Sequence, residues 1–378
     1  MTASELQEHA GYLGDPVKLR AYQQALEAVS PGRVVLDLGA GTGLLGLLAA
    51  KAGARSVYSV DSGPILGVAS DVATASGLAA AVVHIRGKST EISLPELAEV
   101  AVCDQIGGLV YDAGVLEYFS DARRRLLATT AVLVPARFRL FLAPATSDVV
   151  RQQIELWRSS PAGLDFSAFA EASVNTEHHI SGEEAETLSA GVCVGDIAAD
   201  DTSAVKAQGT AIVNQSGRCD GLVGWFEADM GGGASLTNCP GAPDRMRRWV
   251  NFYPIDVGLL LEVGDKVDVS IDIRPSAYVV TWKVTVSKAS GDHVTTQRHS
   301  TLLGQFLDAK EVHAQSSEPV ETTERGAQLA EGLALANGQL SVAQIAEQVQ
   351  AKFPAETQSD EADRTLRALL QRFTRPRG

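Results

Sequence analysis

The stretch Val34–Gly53, VVLDLGAGTGLLGLLAAKAG, limits what this 378-residue chain can fold into more than any other. An apolar, strand-like run ends at Leu38, glycines follow at 39, 41 and 43, and an apolar, helix-like run closes at Gly53. Glycines at such a junction permit a tight turn and a close approach of a ligand to the backbone. The start of the following helix offers N–H groups that have no helical partner. The same kind of pattern continues downstream. SVYSVD closes on Asp61, AAVVHIRG follows, and VAVCD ends on Asp104. Residues 121–129 (DARRRLLAT) read as helix and AVLVPARFRLFLAP as strand. Short apolar strands alternating with helical segments predict an α/β domain with a parallel, doubly wound sheet over residues 1–145. In front of it, residues 1–30 read as an amphipathic helical lead-in with Leu13, Val17, Tyr22, Ala25 and Leu26 near helical spacing, stopped by Pro31-Gly32.

Beyond Pro144 the character changes. VCVGDI, AIVNQ, LVGWFEADM, VGLLLEV, KVDVSIDIRP and YVVTWKVTVS are short, often alternating runs separated by turn residues. They predict an antiparallel, β-barrel-like domain over residues 146–317, interrupted near 160–190 by a more helical arm with Phe166, Phe169 and Ala170 on its apolar face. Residues 318–378 read as helical again. Ser341 is placed to cap one helix and Ser359 another, as in a small winged-helix-like module or a plain structural cap. With 32 Lys+Arg against 46 Asp+Glu the net charge is −14, which argues against a general nucleic-acid binder and favours cationic partners. No apolar run approaches the ~18–20 residues of a membrane span. The opening MTASELQEHAGYLGD has neither a basic nor an apolar leader region. Cys103, Cys193, Cys219 and Cys239 show no CxxC spacing, which argues against a disulfide framework and against a zinc site. The expectation is a cytoplasmic protein with reduced thiols, no bound metal and no membrane contact.

The acid at the end of the second strand, Asp61, is placed to accept hydrogen bonds from ribose hydroxyls. The glycine spacing is GxGxG directly after Asp37, not the GxGxxG of dinucleotide binders. Gly87-Lys88-Ser89 lacks the earlier glycine of a P-loop, since position 82 is Val. VLDLGAGTG with an acidic end to the next strand resembles motif I of class I S-adenosylmethionine (SAM) methyltransferases. The lead-in HAGYLGDPVKLRAYQQAL, the run VYSVDSG, the loop IRGKSTEISLPE and the order of the two domains resemble the protein arginine methyltransferase family over residues 9–285. The resemblance implies a Rossmann-like methyltransferase sheet with SAM held by Asp37, Gly39, Gly41 and Gly43, the ribose by Asp61, and the adenine near Ser89 and Thr90. It implies a helix closing over the nucleotide with His9 and Asp15, and a carboxylate-binding position at Lys18, where Arg20 is a neighbouring substitute. It also implies a homodimer built through the 160–190 arm.

In that family two glutamates on the loop after the fourth strand hold the acceptor. Two carboxylates can pair with a planar guanidinium and fix the orientation of its nucleophilic nitrogen. Here the loop reads CDQIGGLVYDAGVLEYF. Asp104 falls at the first glutamate. The second falls at Ala113 by strict spacing, or at Asp112 if the loop is one residue shorter. The family's Thr-His-Trp loop matches Arg247-Arg248-Trp249, so an Asp15–Arg248 pair is expected in place of Asp–His, with Trp249 on the second wall of the site. His178-His179 read as loop residues. These residues point to a SAM-dependent N-methyltransferase whose acceptor is a guanidino group of arginine, in a protein, a peptide or the free amino acid, oriented by Asp104 and Asp112. The altered acids and the missing His keep open a small-molecule N- or O-methyltransferase of specialised metabolism. A SAM-binding scaffold without activity is the remaining alternative.

Overall fold

A computed structural model of the chain describes residues 3–275, 279–291, 294–304 and 324–352. Five strands form a wholly parallel sheet: β1 (Val34–Leu38), β2 (Ser56–Asp61), β3 (Val82–Arg86), β4 (Ala98–Cys103) and β5 (Leu127–Val134). Their order is β3-β2-β1-β4-β5, so the direction of winding reverses between β1 and β4. Open α/β sheets bind ligands in the crevice at the carboxyl ends of strands at such a reversal. Leu38 pairs with Cys103 in the β1–β4 register, which sets the glycine turn and the Asp104 loop side by side.

The lead-in is two helices, α1 (Ala3–Leu13) and α2 (Pro16–Val29), rather than one run. Asp15 ends the continuity. It is the N-cap of α2, its carboxylate accepts from the N–H groups of Val17 and Lys18 at 3.1 Å each, and Pro16 takes the first helical position. Tyr22, Ala25 and Leu26 are fully buried as their spacing predicts, whereas Leu13, at the end of α1, is exposed. Next come α3 (Leu44–Lys51), α4 (Leu66–Ala75) and α5 (Val115–Arg125). The helix predicted over 121–129 thus begins and ends earlier. Left-handed Gly114 starts it, and beyond Leu126 the β-branched Thr129, Thr130 and Val132 belong to β5.

Strand β6 (Arg137–Thr146) follows β5 directly but pairs elsewhere. It joins an antiparallel sheet ordered β7-β13-β11-β6-β8, built from β7 (His178–Ser181), β8 (Glu186–Thr187), β11 (Gly217–Gly231) and β13 (Trp249–Leu261). β9 (Val192–Ala198) pairs β6, and β12 (Ala234–Thr237) pairs β11. The passage from parallel to antiparallel structure therefore lies near residue 136, earlier than the change in sequence character at Pro144. The arm between β6 and β7 holds α6 (Asp148–Arg158) and the short α7 (Ala170–Val174). A second antiparallel sheet runs β10 (Val205–Ile212), β14 (Lys266–Arg274), β15 (Val279–Ser287), β16 (Val294–Ser300). Trp282 of β15 is fully buried and donates its indole N–H to Pro254 C=O of β13 at 2.7 Å, tying the two sheets together. One apolar core, with Phe119, Phe138, Phe226 and Tyr253 among its largest members, runs from the parallel sheet into the barrel.

Residues 306–378 form a separate compact unit, in which α8 (Glu324–Leu335) and α9 (Val342–Lys352) are described. Ser341 caps α9 as its spacing predicts. Gln344 N–H donates to the Ser341 hydroxyl at 3.3 Å, and the Gln344 side chain accepts from Ser341 N–H at 2.9 Å. The helix expected after Ser359, and with it the third piece of a winged-helix-like module, lies outside the described residues. All four cysteines are free thiols. Among the described residues, no helix is long and apolar enough to cross a membrane.

Candidate active site

Between β1 and α3 the chain turns through Gly39, Gly41 and Gly43, all with positive φ. Gly41 has a positional reason to lack a side chain. Its φ is 52°, and a Cβ there would lie 3.4 Å from the His9 ring, which α1 lays over the turn. Asp61 braces the turn from the end of β2, accepting from Gly41 N–H at 2.8 Å and from Gly63 N–H at 2.6 Å. Gly87 N–H donates to Asp61 C=O at 3.0 Å and brings the loop with Ser89 and Thr90 alongside. That loop is held by Arg125, whose guanidinium donates to the carbonyls of Ser89 and Ile92. Asp37 is not on this surface. It is buried beneath the turn, accepting from Gly46 N–H at 2.9 Å and Ser59 hydroxyl at 3.3 Å. Burial pushes its carboxyl up to about 7. Its geometry is that of a brace under the turn, not of a contact to a bound molecule.

The loop from Asp104 to Gly114 has two differently charged ends. At the first, Lys18 Nζ donates to Asp104 at 2.6 Å, and Arg248 Nη2 donates to both the Asp104 carboxylate and its C=O at 3.2 Å. The Lys18 and Arg248 side chains are only 3% and 4% exposed, and that of Asp104 18%. One carboxylate thus faces two sealed cations, leaving a surplus positive charge. The Tyr12 ring completes the cluster, 4.4 Å from Lys18 Nζ and 5.3 Å from Arg248 Cζ. Tyr22 hydroxyl donates to Cys103 C=O at 2.9 Å, and burial holds its pKa well above the usual phenol value.

This overturns the expected Asp15–Arg248 pair. Asp15 spends one oxygen on the α2 cap and the other on Arg247 N–H at 2.6 Å, so Arg248 turns to Asp104 instead. Arg20 is exposed and lines a different cavity with Val17 and Gln24.

At the second end, Asp112 accepts from Gly108 N–H at 3.0 Å and from Trp249 Nε1–H at 3.1 Å. Of the two positions that the loop spacing leaves open, Asp112 is the one whose carboxylate meets the barrel, through Trp249. His179 stacks on Trp249, with ring centroids 5.6 Å apart. Its Nε2 lies 3.1 Å from Glu177 and 3.5 Å from Asp112. The ligand atoms of Asp112, Glu177 and His179 all fall within 4.8 Å of one another. Burial works to raise the Glu177 carboxyl, but hydrogen bonds from His179, Tyr253 and Asn251 outweigh it and hold it below the usual range. The bond to Glu177 holds the His179 imidazole above its usual value. Gly108 must be glycine here, because a Cβ would lie 2.0 Å from Asn251 Oδ1 and 2.5 Å from the Trp249 ring. The Asn238 side chain donates to Gly108 C=O and Trp249 C=O at 2.8 Å each, stapling loop to barrel.

Asp104 and Asp112 therefore have separate partners and do not form one clamp. Glu177 falls within the arm expected from the sequence, while His178-His179, expected in a loop, open strand β7 instead. The signal that marks them is Glu-His-His leading into a strand, where residues two apart share a face.

Residues 18–106 match the family model described as ribosomal protein L11 methyltransferase (PrmA). A probable protein arginine N-methyltransferase 6 of Arabidopsis thaliana is 30% identical over 192 residues, 47% of this chain and 43% of that protein. The ribosomal protein arginine N-methyltransferase rmt3 of Schizosaccharomyces pombe is 32% identical over 170 residues, 44% of this chain and 31% of that protein. The chain thus spans less than half the length of these curated relatives. The crystal structure of Arabidopsis thaliana protein arginine methyltransferase 10 superposes with a TM-score of 0.68 at 21% identity, over 78% of this chain and 97% of that one. The Trypanosoma brucei PRMT1 enzyme–prozyme heterotetrameric complex with AdoHcy superposes with a TM-score of 0.67 at 19% identity, over 77% and 97%. The fold is that of the protein arginine methyltransferases, and the chain is similar to them in sequence.

Proposed function

We propose that this protein is a SAM-dependent N-methyltransferase whose acceptor is a guanidino group of arginine, carried on a protein, on a peptide or as the free amino acid. One observation carries this reading. A single loop runs from a cation-rich end beside the glycine turn to an acid-rich end at the barrel wall, as a donor with a carboxylate and an acceptor with a positive charge would require. The residues present fit such a donor. Lys18 and Arg248 together outweigh Asp104 by one charge and would hold an amino-acid carboxylate. Asp61 would hold ribose hydroxyls, His9 would cover the turn, and the loop at Ser89 and Thr90 would border the base. When bound, SAM supplies an electrophilic methyl group on a sulfonium.

The chain's own contribution is positioning and electrostatics. Asp112 and the Trp249 ring would align a guanidinium and keep its charge on the side away from the reacting nitrogen. That nitrogen sheds its proton after transfer, so no strong base is needed. Four free thiols, two buried, one half-buried and one exposed, support a cytoplasmic setting. Exposed Leu156, Leu164 and Phe169 on the arm support a homodimer. Incubation with methyl-labelled SAM and either arginine, argininamide or an arginine-rich peptide tests the reading. Label on a guanidino nitrogen is the expected outcome, and label on none of the three defeats it.

A second reading keeps the donor and exchanges the acceptor for a small molecule of specialised metabolism, methylated on nitrogen or oxygen. The capture of Asp104 by Lys18 and Arg248 favours it, because that acid is then unavailable to a bulky guanidinium clamp.

A further inference from the structure

We infer that the second carboxylate of the acceptor site is Glu177, supplied by the barrel, and that Asp112 and Glu177 together cradle a guanidinium at the point where His179 Nε2 now sits; this rests on the guanidino-acceptor reading above. Asp104 cannot fill that place, since it already neutralises Lys18 and answers to Arg248. The geometry of the other pair suits a cation. A single nitrogen donating over ~2.8 Å to each of two carboxylates reaches oxygens up to ~5.6 Å apart. The oxygens of Asp112 and Glu177 lie within 4.8 Å of each other, and an imidazole nitrogen already lies against both. A guanidinium offers that donor on a flat face that stacks on an aromatic ring, as His179 does on Trp249.

A cavity of about 250 Å³ opens beside the pair. It is at the small end for ligand sites and suits one side chain better than a whole cofactor. Leu109, Val279 and Val280 give it apolar walls for an aliphatic stem. Two residues on its lining, Tyr111 and Asn251, each carry a buried polar atom with no partner, the hydroxyl and Oδ1, and Asn251 is 2% exposed. Arg274, also on the lining, does not neutralise the pair, because its guanidinium is engaged by Asp272 at 3.1 Å.

The test uses the full chain and argininamide as probe, with binding followed by saturation-transfer NMR in the presence of S-adenosylhomocysteine and methyl transfer measured separately. Glu177→Gln and Asp112→Asn are each expected to weaken argininamide binding at least tenfold while S-adenosylhomocysteine affinity by calorimetry stays within twofold. Glu177→Asp keeps the charge and is expected to recover part of the loss, which separates recognition from misfolding. Unchanged argininamide binding in Glu177→Gln, or a divalent metal that co-purifies, blocks the probe and leaves with EDTA, overturns the assignment. Should wild type bind the probe, lose it in both variants, and yet methylate none of the guanidines, the cradle stands and the transfer reading fails.

Discussion

Asp104 and Asp112 belong to one loop, eight positions apart, and their surroundings make them opposites. Asp104 is enclosed by two cations that are almost completely buried. Asp112 accepts from a backbone N–H and an indole, with a half-exposed imidazole 3.5 Å away and a second acid close by. The difference teaches that an acid's role is set less by its place in a motif than by what the rest of the chain brings to it. On the proposed reading, the first acid would keep cations in order for a donor, and the second would keep a negative field open for an acceptor.

The contrast is broken most directly by deletion. Asp104→Ala strands Lys18 and Arg248 with no counter-charge, and should cost about 4 kcal/mol of stability in urea unfolding. Asp112→Ala should cost less, about 1 kcal/mol, because it strands one backbone N–H while the Trp249 indole keeps access to water. Equal losses would erase the distinction between the two ends. Gly108→Ala sharpens it from the acceptor side. A methyl 2.0 Å from Asn251 Oδ1 must displace the loop or the Trp249 wall, at about 2 kcal/mol. Guanidine methylation should collapse while S-adenosylhomocysteine binding survives, and parallel loss of both would show that the ends are one site.

A third handle is pH on the donor side. Asp37 is raised to about 7 by burial, so between about pH 4 and pH 7 the folded chain holds a proton that the unfolded chain has shed. Stability should fall as pH rises through that window, by at most about 1.4 kcal/mol per unit, and Asp37→Asn should flatten the slope in thermal melts. The smallest effect belongs to the acceptor side. His179 faces His178 from its own strand, Glu177 just before that strand, Asp112 from the loop and the Trp249 ring from β13. Its raised pKa means that its charge, and its competition with a cationic acceptor, is present at low pH and lost as pH rises through the folded value. The KM for argininamide should fall with rising pH by roughly fivefold, and His179→Gln should remove the trend.

The glycine turn, the acid closing β2 and the change from parallel to antiparallel structure are legible in the sequence because they rest on local periodicity and turn chemistry. Asp104 is legible for the same reason, as the end of a strand, whereas Asp112 is picked out only by the family resemblance, which leaves it open against Ala113. The partners of neither are legible. Lys18 lies 86 positions before Asp104, and Arg248 lies 144 after it. Glu177 meets Asp112 only because β7 pairs with β13, setting His179 opposite Asn251 and placing both beside the loop. Asp15 misled in a different way. As the first residue before Pro16 it satisfies its own helix, which a motif comparison cannot weigh against a distant arginine.

The Asn238 staple carries a mechanical consequence. By bonding Gly108 and Trp249 with one amide, it fastens the far end of the loop to the barrel, while the near end continues from a strand of the parallel sheet. A small slide of the barrel against that sheet would carry Asp112, Trp249 and Glu177 together, without altering the spacing among them. On the proposed reading, the span across which a methyl group would pass then becomes one adjustable coordinate, set by how two layers of the molecule are seated.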